Sequence, residues 1–159
     1  MKINKTNAAR MLDRAGIAYE LVPYEVDESN LAATHVAESL GEDVAMVFKT
    51  IVLTAGRGNY FVCVVPGDAE IDLKKAARAA GVKKAELLPM KELLPLTGYI
   101  RGGCSPVGMR KPFRTFFHST ATDYDFIYVS AGVRGLQFKV NAADLIAYTG
   151  ASVEDLIEQ

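Results

Sequence analysis

Tryptophan is absent from the 159 residues, and only two cysteines and two histidines occur. Cys63 and Cys104 stand without a CxxC partner, so no disulfide framework is encoded and both thiols are expected reduced. No two His or Cys residues lie at ligand spacing, which speaks against a zinc site; neither a metal nor a cofactor is expected. A dominant charge is missing as well. With 18 Lys and Arg against 19 Asp and Glu the net charge is −1, so no global field draws the chain onto DNA or an anionic membrane. Runs of about 18 apolar residues do not occur, and Met1-Lys2-Ile3-Asn4-Lys5-Thr6-Asn7 lacks the apolar core of a signal peptide. The expectation is a cytoplasmic protein with no membrane or DNA partner.

What is present is an ordinary globular balance, 50% hydrophobic and 23% charged, on a chain long enough for a full core. No repeat or low-complexity linker interrupts it, and residues 1–159 read as a single domain. Ala8, Met11, Leu12 and Ala15 predict a helix capped by Thr6 or Asn7 and stopped by Gly16. Residues 17–26 read as extended, with Tyr19, Leu21 and Pro23 on one side, Tyr24 on the other, and the proline favouring a sheet edge. Asn30 is expected to cap a helix that Gly41 ends. Residues 44–54 and 60–65 form strand, turn and strand. Asp72 caps a helix from Leu73 to Ala80, Val82 to Leu87 reads as a short strand, and Pro89 opens a short helix to Leu94. Strands follow at 115–118, 126–130 and 136–140, then a helix between Asn141 and Gly150, and a short terminal helix from Val153. Mixed strands and helices around one core give an α+β class.

Three features invite chemistry. The stretch from Tyr99 to Lys111 crowds glycine, thiol, small polar and basic residues together, and reads either as a surface turn or as a ligand-site wall presenting main-chain N–H groups. Lys49 breaks the apolar run from Val47 to Val52; it either snorkels from a strand end or meets a ligand phosphate or carboxylate, with Thr50 adding a hydroxyl. Cys104 with His35 or His118 raises a thiol-hydrolase reading without a family signature. Gly103 and Gly108 have the spacing of a P-loop, but Met109-Arg110 stands where Lys-Ser/Thr is required. Arg101, Arg110, Lys111 and Arg114 flank the loop and could hold a phosphodiester, whereas Lys74, Lys75, Arg78, Lys83 and Lys84 read as a solvated face. From the residues alone the result is an anion-binding pocket of open chemistry.

Lys5-Thr6-Asn7-Ala8-Ala9-Arg10, Val47-Phe48-Lys49-Thr50, Asp72-Leu73-Lys74-Lys75, Thr97-Gly98-Tyr99, Gly102-Gly103-Cys104-Ser105-Pro106-Val107-Gly108 and the stretch from Ile127 to Leu136 together resemble the YbaK family. Its members are free-standing relatives of the editing domain inserted in bacterial prolyl-tRNA synthetases. The resemblance implies a mixed β-barrel-like sheet surrounded by helices, and deacylation of Cys-tRNA(Pro) in trans. Ala-tRNA(Pro) or another aminoacyl-tRNA is the alternative substrate, and a non-catalytic binder of tRNA ends or nucleotides the alternative class. It further implies the acceptor end of tRNA(Pro) as partner, with prolyl-tRNA synthetase as a second. Lys49 and the loop Gly102, Gly103, Cys104 and Ser105 are then the catalytic positions. Tyr24, Thr50, Pro106, Ser130 and Gln137 are the substrate-binding ones. Some relatives carry an acidic residue where this chain has Gln137, whose amide can still orient a hydroxyl or amine.

Overall fold

Thr6 Oγ1 accepts the Ala9 N–H at 3.1 Å and so starts helix α1 (Asn7–Ala15), which Gly16 ends at φ 72°. The same local logic sets three further helices. Helix α2 (Ala33–Leu40) ends at Gly41. Helix α3 (Leu73–Ala80) begins where Asp72 accepts the Lys74 and Lys75 N–H groups. Helix α5 (Ala142–Thr149) begins at Asn141, which accepts the Asp144 N–H, and ends at Gly150. Between α3 and α5 lies α4 (Met90–Thr97), which runs past Leu94 and carries Pro95 inside it. These elements belong to a computed structural model that describes residues 3–159. Met1 and Lys2, read above as part of the N-terminal stretch, lie outside the described residues.

The strands form two sheets. In the first, β1 (Tyr19–Pro23), β7 (Leu136–Asn141) and β6 (Phe126–Ser130) pair antiparallel in that order, which places Pro23 on an edge strand as expected. In the second the order is β4 (Glu86–Leu87), β2 (Phe48–Thr54), β3 (Tyr60–Pro66), β5 (Arg114–His118) and β8 (Ser152–Glu154). The β2–β3 hairpin is antiparallel, while β3–β5 and β5–β8 are parallel. A parallel bridge from Val47 to Tyr128 brings the sheets together beside β2. The α+β class and the barrel-like wrapping of strands are therefore as expected.

Side-chain alternation along β2 divides the core. Phe48 and Val52 join Ile127, Val129, Phe138 and Leu12 on one side. Ile51 and Leu53 join Phe61, Val65, Ala76 and Phe116 on the other.

Four expectations are corrected. Val44–Met46 form a short 3-10 helix, at whose start the Asp43 side chain accepts the Ala45 N–H, so the strand expected from residue 44 begins at Phe48. Asn30 does not cap α2: its Oδ1 accepts the Ala32 N–H at 3.3 Å, and the helix opens at Ala32 without a side-chain cap. Only Glu86 and Leu87 of the segment 82–87 pair as a strand. The terminal helix is instead strand β8, because β5 leaves an open edge on which Ser152–Glu154 completes the sheet. Leu156 is then fully buried, and its N–H donates to His118 Nδ1 at 3.1 Å.

Candidate active site

The site begins with an unpaired edge. Strand β2 pairs with β3 along its whole length but with β4 only at Leu53 and Thr54. The segment from Val47 to Val52 therefore flanks an opening. Leu31 to Ala33, Leu87 to Leu93 and the Gly102–Cys104 loop wall it in, leaving a cavity of about 490 Å³. Lys49, Thr50, Gly102, Cys104, Ser130 and Gln137 all line it. Residues spread over almost ninety positions of sequence thus border one cavity.

Lys49 follows Val47 on the face of β2 opposite Phe48 and Thr50. Among the described residues its ammonium has neither an ion pair nor a hydrogen bond, although Glu70 also lines the cavity. A cation left in this state is available to an anion. Gln137 lies directly across from Ser130 in the β6–β7 register and is 5% exposed. Its Oε1 and the Thr50 Oγ1 are buried without a hydrogen-bond partner. An unmatched buried polar group costs about 1–3 kcal/mol, and both of these belong to residues on the lining. Ser130 Oγ accepts the Gly132 N–H at 3.1 Å, which holds the turn after β6.

The glycine loop is built against that turn. Gly102 has φ 86°, a left-handed conformation that favours glycine. The Gly103 N–H donates to Ile100 O at 2.9 Å. The Gly102 and Cys104 N–H groups make no hydrogen bond among the described residues. Ser105 is wholly buried, and its Oγ accepts the Val107 N–H at 3.2 Å. The Tyr99 hydroxyl donates to Val107 O and fits against Gly108 and Gly132, fastening the loop to the β6–β7 connection.

Of the sequence-predicted residues, Tyr24, Gly103, Ser105 and Pro106 do not line the cavity. Tyr24 packs behind it with Val36 and Val47, and Pro106 is half-buried in the loop. The thiol-hydrolase constellation does not form. Burial pushes the Cys104 thiol up to about 12, no hydrogen bond joins it to a histidine, and His118 Nδ1 is occupied by Leu156. Arg114 turns away, donating to Ala80 O at 2.9 Å and covering Phe116. Of the basic residues flanking the loop, Arg101 reaches the lining. Sequence reasoning missed Glu70 and the apolar wall of Leu31, Leu87, Met90 and Leu93. Its only signal was a cluster of leucine and methionine around Pro89.

The model of the family described as "Aminoacyl-tRNA editing domain" matches residues 28–148. The chain belongs to this family. The chain is 42% identical over 152 residues, 96% of its length and 93% of the relative's, to an Enterococcus faecalis protein named "Putative Cys-tRNA(Pro)/Cys-tRNA(Cys) deacylase EbsC". It is 25% identical over 131 residues to the proline–tRNA ligase of Cupriavidus necator, covering 80% of this chain and 23% of the ligase. Its fold matches the crystal structure of "a putative trans-editing enzyme for prolyl tRNA synthetase" with a TM-score of 0.83, at 27% identity and covering 98% of this chain and 100% of that one. The expected enzyme class, an aminoacyl-tRNA hydrolase, agrees with this membership. Among the described residues of the editing domain no group of His, Cys, Asp and Glu could hold a metal ion, and no helix is long and apolar enough to cross a membrane.

Proposed function

We propose that this editing domain removes cysteine from tRNA(Pro) in trans, in the cytoplasm, using the thiol of the substrate itself. The observation that carries the reading is a cavity with an unpaired cation and free main-chain donors but no activated nucleophile. Cys63 lies in the core, burial pushes the Cys104 thiol up to about 12, and Ser105 is buried and hydrogen-bonded. A proline synthetase pocket rejects a ligand that differs by about one methylene with only ~1–3 kcal/mol, so cysteine reaches tRNA(Pro) and has to be cleared later.

In the proposed step the cysteinyl sulfur attacks its own ester carbonyl. The C–S bond forms, the C–O bond to the ribose breaks, and the thiol proton ends on the departing tRNA hydroxyl. A cyclic thiolactone remains, which water opens. Intramolecular attack reaches effective molarities of roughly 10⁵–10⁸ M when the geometry is right. The Gly102 and Cys104 N–H groups receive the developing oxyanion, each well-placed donor contributing about 3 kcal/mol. Lys49 anchors the terminal nucleotide, and Thr50, Ser130 and Gln137 orient the aminoacyl group. Tyr24, Ser105 and Pro106 support this arrangement from behind the lining. Prolyl-tRNA synthetase, as a partner, supplies selection of tRNA(Pro).

The test is the decay of tRNA(Pro) charged with Cys, Ala, Ser or Pro, with and without the protein. Cys-tRNA(Pro) is expected to be cleared at least about 10-fold faster than the others. Preference for Ala-tRNA(Pro) moves the substrate, and decay at the spontaneous rate for all four leaves only a binding module. Repeating the assay with Cys-tRNA(Cys) and added synthetase tests the partner: the synthetase should restrict the activity to tRNA(Pro).

A further inference from the structure

Three charged side chains border the cavity, and they do not neutralise one another. Lys49 and Arg101 supply two positive charges and Glu70 a negative one, and none of the three has an ion-pair partner among the described residues. Two neutral side chains on the same lining are unmatched as well: Gln137, only 5% exposed, and Thr50 each bury an oxygen without a hydrogen-bond partner. Such a lining is complementary to a ligand that carries both signs of charge and several N–H donors. An anion alone meets repulsion from Glu70, and a cation alone meets it from Lys49 and Arg101.

Glu70 is exposed, yet its backbone is held from two directions. Where β3 ends, the Gly67 N–H donates to Val47 O at 2.7 Å, which ties the segment to β2 beside Lys49. The Ala69 N–H closes a turn onto Pro66 O at 3.1 Å. Glu70 O then accepts the Glu158 N–H at 2.9 Å, Ile71 bridges Ile157, and the Asp72 N–H donates to Leu156 O at 2.8 Å before Asp72 caps α3. The carboxylate is thus carried by a backbone fixed to β2 on one side and to the C-terminal segment on the other. Little ordering remains to be done when it takes a partner.

The proposed deacylation uses the ester, the thiol and the departing hydroxyl of the substrate, and leaves its α-ammonium without a partner. We infer that Glu70 receives this ammonium and makes a free α-amino group a condition of cleavage. The inference rests on the proposed function for the identity of the ligand, and adds to it a requirement of charge. An ester whose amino group is acylated, as in a formylated or peptidyl-tRNA, brings no cation to Glu70. The domain therefore clears aminoacyl esters and spares chains under synthesis.

The experiment is an NMR titration of the full chain at about pH 6.5, where an α-amino group with an ordinary value of about 7.7–8.0 is protonated. The ligands are 3′-cysteinylamino-3′-deoxyadenosine 5′-monophosphate and its 3-mercaptopropionyl counterpart, amides that resist cleavage and differ only by the α-amino group. The wild type should bind the first at least about 5-fold more tightly, between the worth of an exposed ion pair and that of a charge-assisted hydrogen bond. Glu70→Gln, similar in size and at an exposed position, should bring that ratio below about 2-fold with the Tm unchanged. Equal binding of the two ligands by the wild type, no perturbation by either, or an unchanged ratio in the variant overturns the inference; a variant that shifts both ligands alike makes Glu70 a counter-charge to Lys49. In turnover the wild type should clear N-acetyl-Cys-tRNA(Pro) at least about 5-fold more slowly than Cys-tRNA(Pro), and equal clearance overturns the requirement for a free amine. If the wild type shows the amine-dependent binding but deacylates no charged tRNA, the ammonium seat stands and the deacylase reading fails.

Discussion

Gly103 passes so close to Val133 that a Cβ built on it would lie 3.2 Å from both the Val133 Cα and its carbonyl carbon, and equally close to Arg134 N. The glycine loop and the β6–β7 connection therefore touch backbone to backbone at the edge of the cavity. Arg134 Nε reinforces the seam by donating to Arg101 O at 2.9 Å. Gly103→Ala has to push two main chains apart by a few tenths of an ångström, which moves Gly102 and Cys104. The expected result is a loss of about 1–3 kcal/mol in stability, as for other overpacked sites, and a fall in single-turnover deacylation of roughly 10-fold or more, since displaced oxyanion donors cost rates of that order. Unaltered deacylation in a folded Gly103→Ala protein would show that the seam does not position the donors.

Cys104 and Lys49 are separated by a second prediction. Burial holds the Cys104 thiol up to about 12, which makes it a poor nucleophile and a slow alkylation target. Cys104→Ala should keep deacylation of Cys-tRNA(Pro) within a few-fold of wild type. If Lys49 holds a phosphate as proposed, Lys49→Ala should lose most of it and lose part of the salt dependence of binding. An inactive but folded Cys104→Ala protein would return the thiol to the mechanism.

Much of the fold could be read from the sequence because its signals are local. Thr6, Asp72 and Asn141 cap helices from positions adjacent to them, and Gly16, Gly41, Gly81 and Gly150 end helices where a left-handed residue is needed. The C-terminal segment is not legible in the sequence because its structure depends on a remote partner. The pattern of Val153 and Leu156 suits a helix face, but the open edge of β5 and the pocket for Leu156 turn the segment into a strand. The site divides in the same way. Lys49 stood out as a charge within an apolar run, whereas nothing in Leu87 and Met90 distinguishes exposed wall from core until the fold leaves them uncovered.

Acid should release the C-terminal strand before it affects the rest. His118 is buried, and desolvation, with Lys75 nearby, holds its imidazole below the ordinary value of 6.5, against the opposing pull of Asp155 and Asp123. The folded state thus prefers neutral His118, whose Nδ1 accepts the Leu156 N–H at 3.1 Å. The unfolded chain binds more protons below pH 6.5, so this contribution is complete above 6.5 and is lost as the pH falls toward the lower folded value. Asp155, itself held below 3.8 chiefly by its hydrogen bond to Lys75, acts only in a more acidic range. Thermal melts from pH 8 to pH 5 should show a Tm that drops below pH 6.5. His118→Asn, which retains an acceptor without the titration, should flatten that slope. An equal slope in the variant would assign the acid sensitivity elsewhere.

Gly67 is the point at which α2 meets the β3 end of the cavity, and it leaves no room for a side chain. Its N–H donates to Val47 O at 2.7 Å, while a Cβ there would lie 2.3 Å from the Ala33 Cβ and 2.8 Å from the same Val47 oxygen. Gly67→Ala should therefore lift the start of α2 away from β2, at a cost of about 1–3 kcal/mol and a Tm decrease of about 2–4 °C for each of those kilocalories. Both Ala33 and Val47 line the cavity, so KM for the charged tRNA should rise along with the loss of stability. The double change Gly67→Ala with Ala33→Gly separates the two collisions. It removes the Cβ contact and leaves the backbone oxygen in place, so only part of the stability should return, after allowance for the glycine placed in the first turn of α2. Full recovery would mean that the helix contact alone demands glycine at 67. No recovery would assign the demand to the Val47 carbonyl, and hence to the strand that carries Lys49.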